Sequence, residues 1–158
     1  MSNGALLTSY TRHADAQKHA DSSALWALFQ GDRQSLNIVN ECIIRHADGC
    51  GRAAVRIAHA DGADEILSFD TIARGSAQFA HWLTKQGIKK GDRIAFMLEP
   101  SLPFYVSLFG AMLTGAISVP LFTLFGLDGL RLRVDDCKPT LLITNAEKAE
   151  MARACEGV

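Results

Sequence analysis

Two stretches decide the fold of this chain: KKGDRIAFMLEPS at residues 89–101 and GAISVPLFTLFG at residues 115–126. In the first stretch, a short apolar run from Arg93 to Leu98 follows a tight Lys-Gly-Asp turn. Pro100 ends this run, because proline cannot donate to a sheet ladder. The second stretch contains the β-branched run Ile117–Leu121. Both runs are therefore predicted to be strands.

The interval between the two predicted strands is apolar and has the length of one helix. Pro103 suits the first turn of that helix, and Gly115 ends it. A second helix is predicted at residues 127–136, followed by a strand at residues 140–144. Two consecutive strand–helix–strand units predict an open parallel sheet.

The upstream half of the chain predicts a hairpin and further helices. Residues 70–86 form the most regular helical stripe, and Ser68 is placed to cap its start. Residues 53–58 and 65–69 flank an Asp-Gly turn and are predicted to pair as a hairpin. An additional helix is predicted from Leu36 to His46, with Ser35 as its N-cap.

Residues 100–127 carry no charge, and an apolar run of that length is a candidate membrane span. Pro103 and Pro120, with Gly110 and Gly115, divide the run into a helix-length piece and a β-branched piece. Its ends lack the aromatic and basic anchors typical of a span. The pattern favours a buried helix followed by a buried strand, and no membrane span.

Composition narrows the classes of partner. The chain has 16 basic and 17 acidic side chains, and its basic residues are dispersed, which excludes nucleic acid as a predicted partner. The cysteines form no CxxC pair, so neither a zinc site nor a disulfide framework is predicted. Residues 1–11 lack the pattern of a secretory signal. We therefore predict reduced thiols and a cytoplasmic location.

Ligands of an open parallel sheet bind outside the carboxyl ends of its strands. Six residues at those predicted ends could wall an apolar pocket or supply hydrogen bonds: Ser101, Phe122, Thr123, Leu124, Phe125 and Asn145. The alternative interpretation, in which apolar residues are core and serine is a helix cap, is the more common one. No catalytic, cofactor-binding or metal-binding residue is assigned from the sequence.

Phosphate-binding motifs are missing from the sequence. It contains neither GxxxxGK[ST] nor GxGxxG after a strand, and Gly126-Leu127-Asp128-Gly129 has the wrong spacing and a charge that repels phosphate. The five histidines are dispersed, and none is paired with a candidate nucleophile. Asp135 and Asp136 point about 100° apart on a helix and are more often solvated than metal-bound.

As a whole, SFDTIARGSAQFAHWLTKQGIKKGDRIAFMLEPS (68–101) with GAMLTGAISVPLFTLFGLDGL (110–130) resembles the opening of the adenylate-forming acyl-CoA synthetases. The resemblance covers residues 66–148 and extends to residues 36–66. Within that family, the sequence is similar to the acetyl-, medium-chain and aryl-CoA ligase branch. The fold expected from it is α/β: an open, mostly parallel sheet with flanking helices, preceded by a β-hairpin, as an incomplete N-terminal subdomain of the synthetase fold.

The resemblance also implies an activity for a longer parent protein. Family members use ATP and Mg to convert a carboxylic acid into an acyl-adenylate and then transfer the acyl group to CoA. Their catalytic motifs do not occur in this sequence, so the 158-residue chain is expected to be an inactive N-terminal piece that binds none of these cofactors tightly. We divide it into an extension at residues 1–35 and a partial subdomain at residues 36–158.

Two further expectations follow. Apolar surface meant for missing parts of the fold should make the chain self-associate. The tail is helical in propensity and ends at Glu156-Gly157-Val158 without a partner strand, which predicts a chain cut within a fold. The alternative hypothesis is a free-standing flavodoxin-like binding or interaction module without catalysis, which predicts a monomer with a specific ligand or partner.

Overall fold

The computed structural model describes residues 6–155 and residue 158. Seven α-helices occupy this part of the chain: α1 (His13–Lys18), α2 (Ser22–Trp26), α3 (Ile38–Cys42), α4 (Phe69–Lys85), α5 (Leu102–Leu113), α6 (Leu127–Cys137) and α7 (Ala149–Arg153). The strands are β1 (Ala53–Ala58), β2 (Asp64–Ser68), β3 (Arg93–Met97), β4 (Ile117–Pro120) and β5 (Leu141–Thr144). Short 3₁₀ turns lie at Leu7–Ser9, Ile44–His46 and Ala146–Lys148.

The predicted parallel sheet is confirmed. Strands β4, β3 and β5 lie in that order and are all parallel, so β3 is central. Strands β1 and β2 form the predicted antiparallel hairpin. The expected architecture, an open parallel sheet with flanking helices and a preceding hairpin, is therefore correct.

Strand β3 is buried on both faces, and each face meets a different helical layer. Ile94 and Phe96 point to the layer that contains α4 and α5, where they pack against Leu83 and Ala111. Met97 points to the other side, against α6 and α7. This explains the continuous apolar run of β3: a strand covered on both faces has no polar side to alternate with.

The hairpin and α3 form a second part of the core, on the outer side of α4 and α5. Ile57 of β1 and Leu67 of β2 pack with Val39, Ile43 and Ile72. Ser68 accepts the N–H of Thr71, so the predicted N-cap of α4 is confirmed.

Helix α3 corrects one expectation. Its N-cap is Asn37, whose side chain accepts the N–H of Val39, and Ser35 lies in the preceding turn. The helix ends at Cys42 instead of continuing to His46, because the backbone leaves the helical region at Ile43 (φ −126°, ψ −62°). Asn37 also donates to the carbonyl of Met112, a contact 75 residues distant that no local pattern predicts.

The turn at residues 89–93 connects all three strands of the parallel sheet. Asp92 accepts the N–H of Lys89 at 2.7 Å, and Gly91 has φ 91°, a conformation that favours glycine. The carbonyl of Asp92 accepts the N–H of Ile117, where β4 begins. The carbonyl of Arg93 accepts the N–H of Thr140, just before β5.

The Arg93 side chain extends this connection to helix α6. Its guanidinium donates to the carbonyls of Cys137 and Lys138, the second at 3.3 Å. These carbonyls lie at the C-terminal end of α6, where the helix has no intrahelical donors left and the dipole favours a cation. Lys138 closes that end in the left-handed conformation, with φ 44°.

Replacing Arg93 by Ala should lower the free energy of unfolding by about 1–3 kcal/mol, because carbonyls at the end of α6 lose a charged donor. Urea denaturation followed by circular dichroism measures the change. Arg56→Ala is the matched control, since Arg56 pairs with Asp64 on the exposed hairpin, and it should change stability by less than about 1 kcal/mol. Equal losses in the two variants would contradict this role of Arg93.

Helices α4 and α5 approach each other closely at two glycines. A Cβ added at Gly110 would lie 2.7 Å from Phe79 Cδ1 and 3.0 Å from the carbonyl oxygen of Ser76. One added at Gly75 would lie 2.6 Å from Val106 Cγ2. The face of α5 that is fully buried is accordingly made of small residues: Ser107, Gly110 and Ala111.

Gly110→Ala should destabilise the protein by about 1–3 kcal/mol, because overpacking outweighs the gain in helix propensity. Gly129→Ala is the matched control. Gly129 also lies within a helix, but a Cβ there meets Phe125 at an ordinary 3.5 Å, so the same change should stabilise by about 0.5–1 kcal/mol. Opposite signs of the two shifts in thermal midpoint test the prediction; the same sign would contradict it.

Candidate functional site

A cleft of about 450 Å³ opens where β3 and β4 end. The two strands are neighbours in the sheet, but the chain leaves them in opposite directions. After β3 it enters α5 on one face, and after β4 it enters α6 on the other face. Divergence of this kind leaves a crevice at the carboxyl ends of the strands, which is the usual ligand position in open parallel sheets.

Eight residues line the cleft: Leu98, Glu99, Pro100, Phe104, Pro120, Leu121, Phe122 and Thr123. Glu99 supplies the charge in this lining, and Thr123 the hydroxyl. Thr123 is buried and donates its hydroxyl proton to Glu99 Oε1. This hydrogen bond joins the loop after β3 to the loop after β4. The remaining lining is apolar, so the cleft combines hydrophobic walls with one hydrogen-bonded carboxylate.

Of the six residues predicted at the strand ends, two line the cleft, two are helix caps and two lie beside the cleft. Phe122 and Thr123 line the cleft. Ser101 and Asn145 are helix caps: Ser101 accepts the N–H of Phe104, and Asn145 accepts the N–H of Lys148. For Ser101, the contact observed is therefore the helix cap of the alternative interpretation.

Leu124 and Phe125 lie beside the cleft without lining it. Leu124 is 78% exposed. Phe125 stacks beneath the guanidinium of Arg133, whose centre lies 3.6 Å from the ring centroid, and packs edge-on against Phe122. This stack fixes the loop after β4 to the first turns of α6.

Sequence reasoning did not single out Glu99 or Phe104. Glu99 directly follows the strand, and its position at the carboxyl end of β3 was the available signal. Phe104 belongs to an apolar helix, and a sequence gives no indication of which face of such a helix borders a crevice. The pairing of Glu99 with Thr123 joins residues 24 positions apart and depends on the tertiary fold.

The lining does not fit a phosphate group or a divalent metal. A phosphate would meet the Glu99 carboxylate without a cation in that lining, and Asp128 lies in the first turn of α6. Within residues 6–155, no group of three or more His, Cys, Asp or Glu side chains is placed to hold a metal ion. We derive no phosphoryl or metal step from the residues of this cleft.

Two other observations concern the membrane span and the cysteines considered in the sequence analysis. Across the described part of the chain, no helix has both the length and the hydropathy needed to cross a bilayer. The four cysteines are free thiols, and burial raises the pKa of Cys155 and of Cys137.

Comparison with protein families matches residues 45–158 to the family described as AMP-binding enzyme. The chain belongs to this family. An acetyl-coenzyme A synthetase from Leptospira biflexa is 30% identical over 141 residues, which is 87% of this chain and 21% of that protein. An acetyl-coenzyme A synthetase from Bacillus subtilis is 29% identical over 117 residues, or 73% of this chain and 20% of that protein.

The structural comparison agrees. An acyl-CoA synthetase from Brucella canis superposes with a TM-score of 0.81 and 29% identity, covering 94% of this chain and 27% of that one. The chain thus corresponds to an N-terminal portion of the adenylate-forming acyl-CoA synthetases, as the resemblance implied. It spans about a fifth of the length of the synthetases that it matches in sequence.

Proposed function

We propose that this chain is the N-terminal part of a longer AMP-forming acid–thiol ligase of the acetyl-, medium-chain and aryl-CoA branch. The supporting observation is the match to acetyl-coenzyme A synthetase over 87% of this chain but only 21% of that relative. The parent would use ATP and Mg to join a carboxylic acid to CoA through an acyl-adenylate. A cytoplasmic location belongs to the same proposal.

In this proposal the chain supplies scaffold and cleft, and the groups that handle phosphate lie elsewhere in the parent. Attack of a carboxylate on the α-phosphorus of ATP requires positioning and neutralisation of charge. The cleft provides apolar walls and the carboxylate of Glu99, which cannot neutralise a phosphate. The 158-residue chain should therefore be inactive alone. A free-standing flavodoxin-like module is not favoured, because the family match spans residues 45–158.

The test is carboxylate-dependent exchange of labelled pyrophosphate into ATP, since this exchange reports acyl-adenylate formation. The gene is first read past the codon for Val158, and the complete protein is assayed with acetate, butyrate, octanoate and benzoate. We expect exchange with at least one acid for the complete protein and none above the blank for residues 1–158. A complete protein that is inactive with every acid would contradict the proposal, and exchange by the chain alone would contradict its inactivity.

We further propose that two exposed side chains, Phe122 in the cleft lining and Leu124 beside the cleft, are covered by later parts of the parent. Phe122 is 61% exposed and Leu124, two residues later, is 78% exposed, so the loop after β4 presents apolar side chains to solvent. The match to about a fifth of each relative leaves ample chain in such a parent to cover it. When residues 1–158 are produced alone, a second copy should occupy this surface.

Sedimentation velocity should therefore show concentration-dependent association of residues 1–158. The double variant Phe122→Asp with Leu124→Asp should weaken the association by about tenfold or more, because burial of a charge opposes it. Leu132→Asp is the matched control, since Leu132 is 68% exposed on α6. A chain that stays monomeric at high concentration, or equal effects of the double variant and the control, would reject the proposed surface.

A further inference from the structure

The first described residues of the chain contribute nothing to the core. We call residues 6–27 the arm; it contains α1 and α2, and none of its residues is buried. Neither α1 nor α2 makes an extensive contact with another helix or strand of the described chain. Its aromatic contacts are local: Tyr10 stacks on His19 at 5.1 Å, and Trp26 packs against Phe29 at 5.6 Å. The apolar side chains of the arm are exposed or only partly buried.

The segment that follows the arm is attached to the core by a buried carboxylate. Residues 28–31, with the side chains of Glu41 and Arg45, make up what we call the latch. Glu41, whose side chain is only 3% exposed, accepts the backbone N–H of Gln30 at 3.1 Å and of Gly31 at 2.9 Å. Arg45 pairs with Glu41 at 2.5 Å and donates to the carbonyl of Leu28 at 2.9 Å.

Glu41 acts in this latch as an ionised acceptor. Burial disfavours its charge, but the N–H groups of Gln30 and Gly31 and the Arg45 guanidinium together lower the pKa of this carboxyl. An ionised carboxylate is the stronger acceptor for backbone N–H groups. The latch bonds on residues 28–31 are made by backbone groups, so they do not depend on the side chains of that segment.

Two clefts border the latch. One of about 510 Å³ borders the arm and is lined by Trp26 and Arg33. The other, of about 490 Å³, borders α3 and is lined by Asn40 and Lys90. Gly31 lines both. A segment bordered by two clefts and attached to α3 through hydrogen bonds can separate at lower cost than a helix packed in the core.

We propose that residues 6–27 are a displaceable arm, and that the latch on Glu41 sets whether the arm lies against the core. Arg33 makes a second contact, donating to Ser22 at 2.7 Å and lying over Trp26, but this contact is exposed. Opening the latch exposes the polar face of α3 and leaves the parallel sheet intact. The proposal concerns regulation of access to α3 and is independent of the acid–thiol ligase reaction.

The test is hydrogen exchange with mass spectrometry, together with quenching of Trp26 by acrylamide in a Trp82→Phe background. In Glu41→Ala the amides of Gln30 and Gly31 should exchange about tenfold faster, because their charged acceptor is gone. Trp26 should become more accessible, and the amides of β3 should keep their protection. Adding Arg33→Ala should enlarge the arm's response without changing β3.

Asp15→Ala is the matched control, because Asp15 makes an exposed ion pair with Lys18 inside the arm and does not touch the latch. It should leave residues 28–31 at the exchange rate of the unaltered chain. Faster exchange in β3 together with the arm in Glu41→Ala would show that Glu41 belongs to the cooperative core and would overturn the proposal. The proposal would also be overturned if acrylamide quenching of Trp26 were unchanged in the variant that combines Glu41→Ala with Arg33→Ala. The same holds if Asp15→Ala produced the same faster exchange and quenching as Glu41→Ala.

Discussion

The hydrogen bonds between Arg93 and the end of α6 are the constraint on which the parallel sheet depends. Strand β3 lies between β4 and β5, and the chain reaches these neighbours through helices on opposite faces. A cation at the first residue of β3 closes the helix that leads to β5, while the neighbouring carbonyl of Asp92 starts β4. One turn thereby sets the relative position of the strands, and the strands set the position of the cleft at their far ends.

Much of this architecture could be predicted because its signals are local. Ser68 caps the start of α4, and the apolar runs of β3 and β4 are separated by one helix length; each signal lies within a few residues of what it determines. The predicted N-cap of α3, Ser35, was wrong because the choice of cap is accompanied by a contact that is not local. Ser35 and Asn37 are both residue types that favour an N-cap. The fold uses Asn37, which also donates a hydrogen bond to the distant carbonyl of Met112. The division of the chain at residue 35 stays a prediction.

The cleft was only partly predictable. Topology placed it at the strand ends, and Phe122 and Thr123 do line it. Topology could not separate these residues from Ser101 and Asn145, because cap geometry depends on where the following helix begins. It also could not pair Glu99 with Thr123, since each lies in the loop after a different strand. This pair decides which ligands the cleft can accept, because a carboxylate in an apolar crevice disfavours a bound phosphate.

The core and the arm are held by different forces, and the difference has consequences for how each responds to change. Strand β3 gains most of its stability from apolar surface removed from water on both faces, and this contribution is cooperative. Residues 28–31 are attached by polar contacts: Glu41 accepts the N–H groups of Gln30 and Gly31, and Arg45 donates to the carbonyl of Leu28. A polar attachment can be exchanged for water or for another acceptor, whereas a buried apolar one cannot. The N-terminal region can therefore change its contacts while the sheet that positions the cleft remains unaltered.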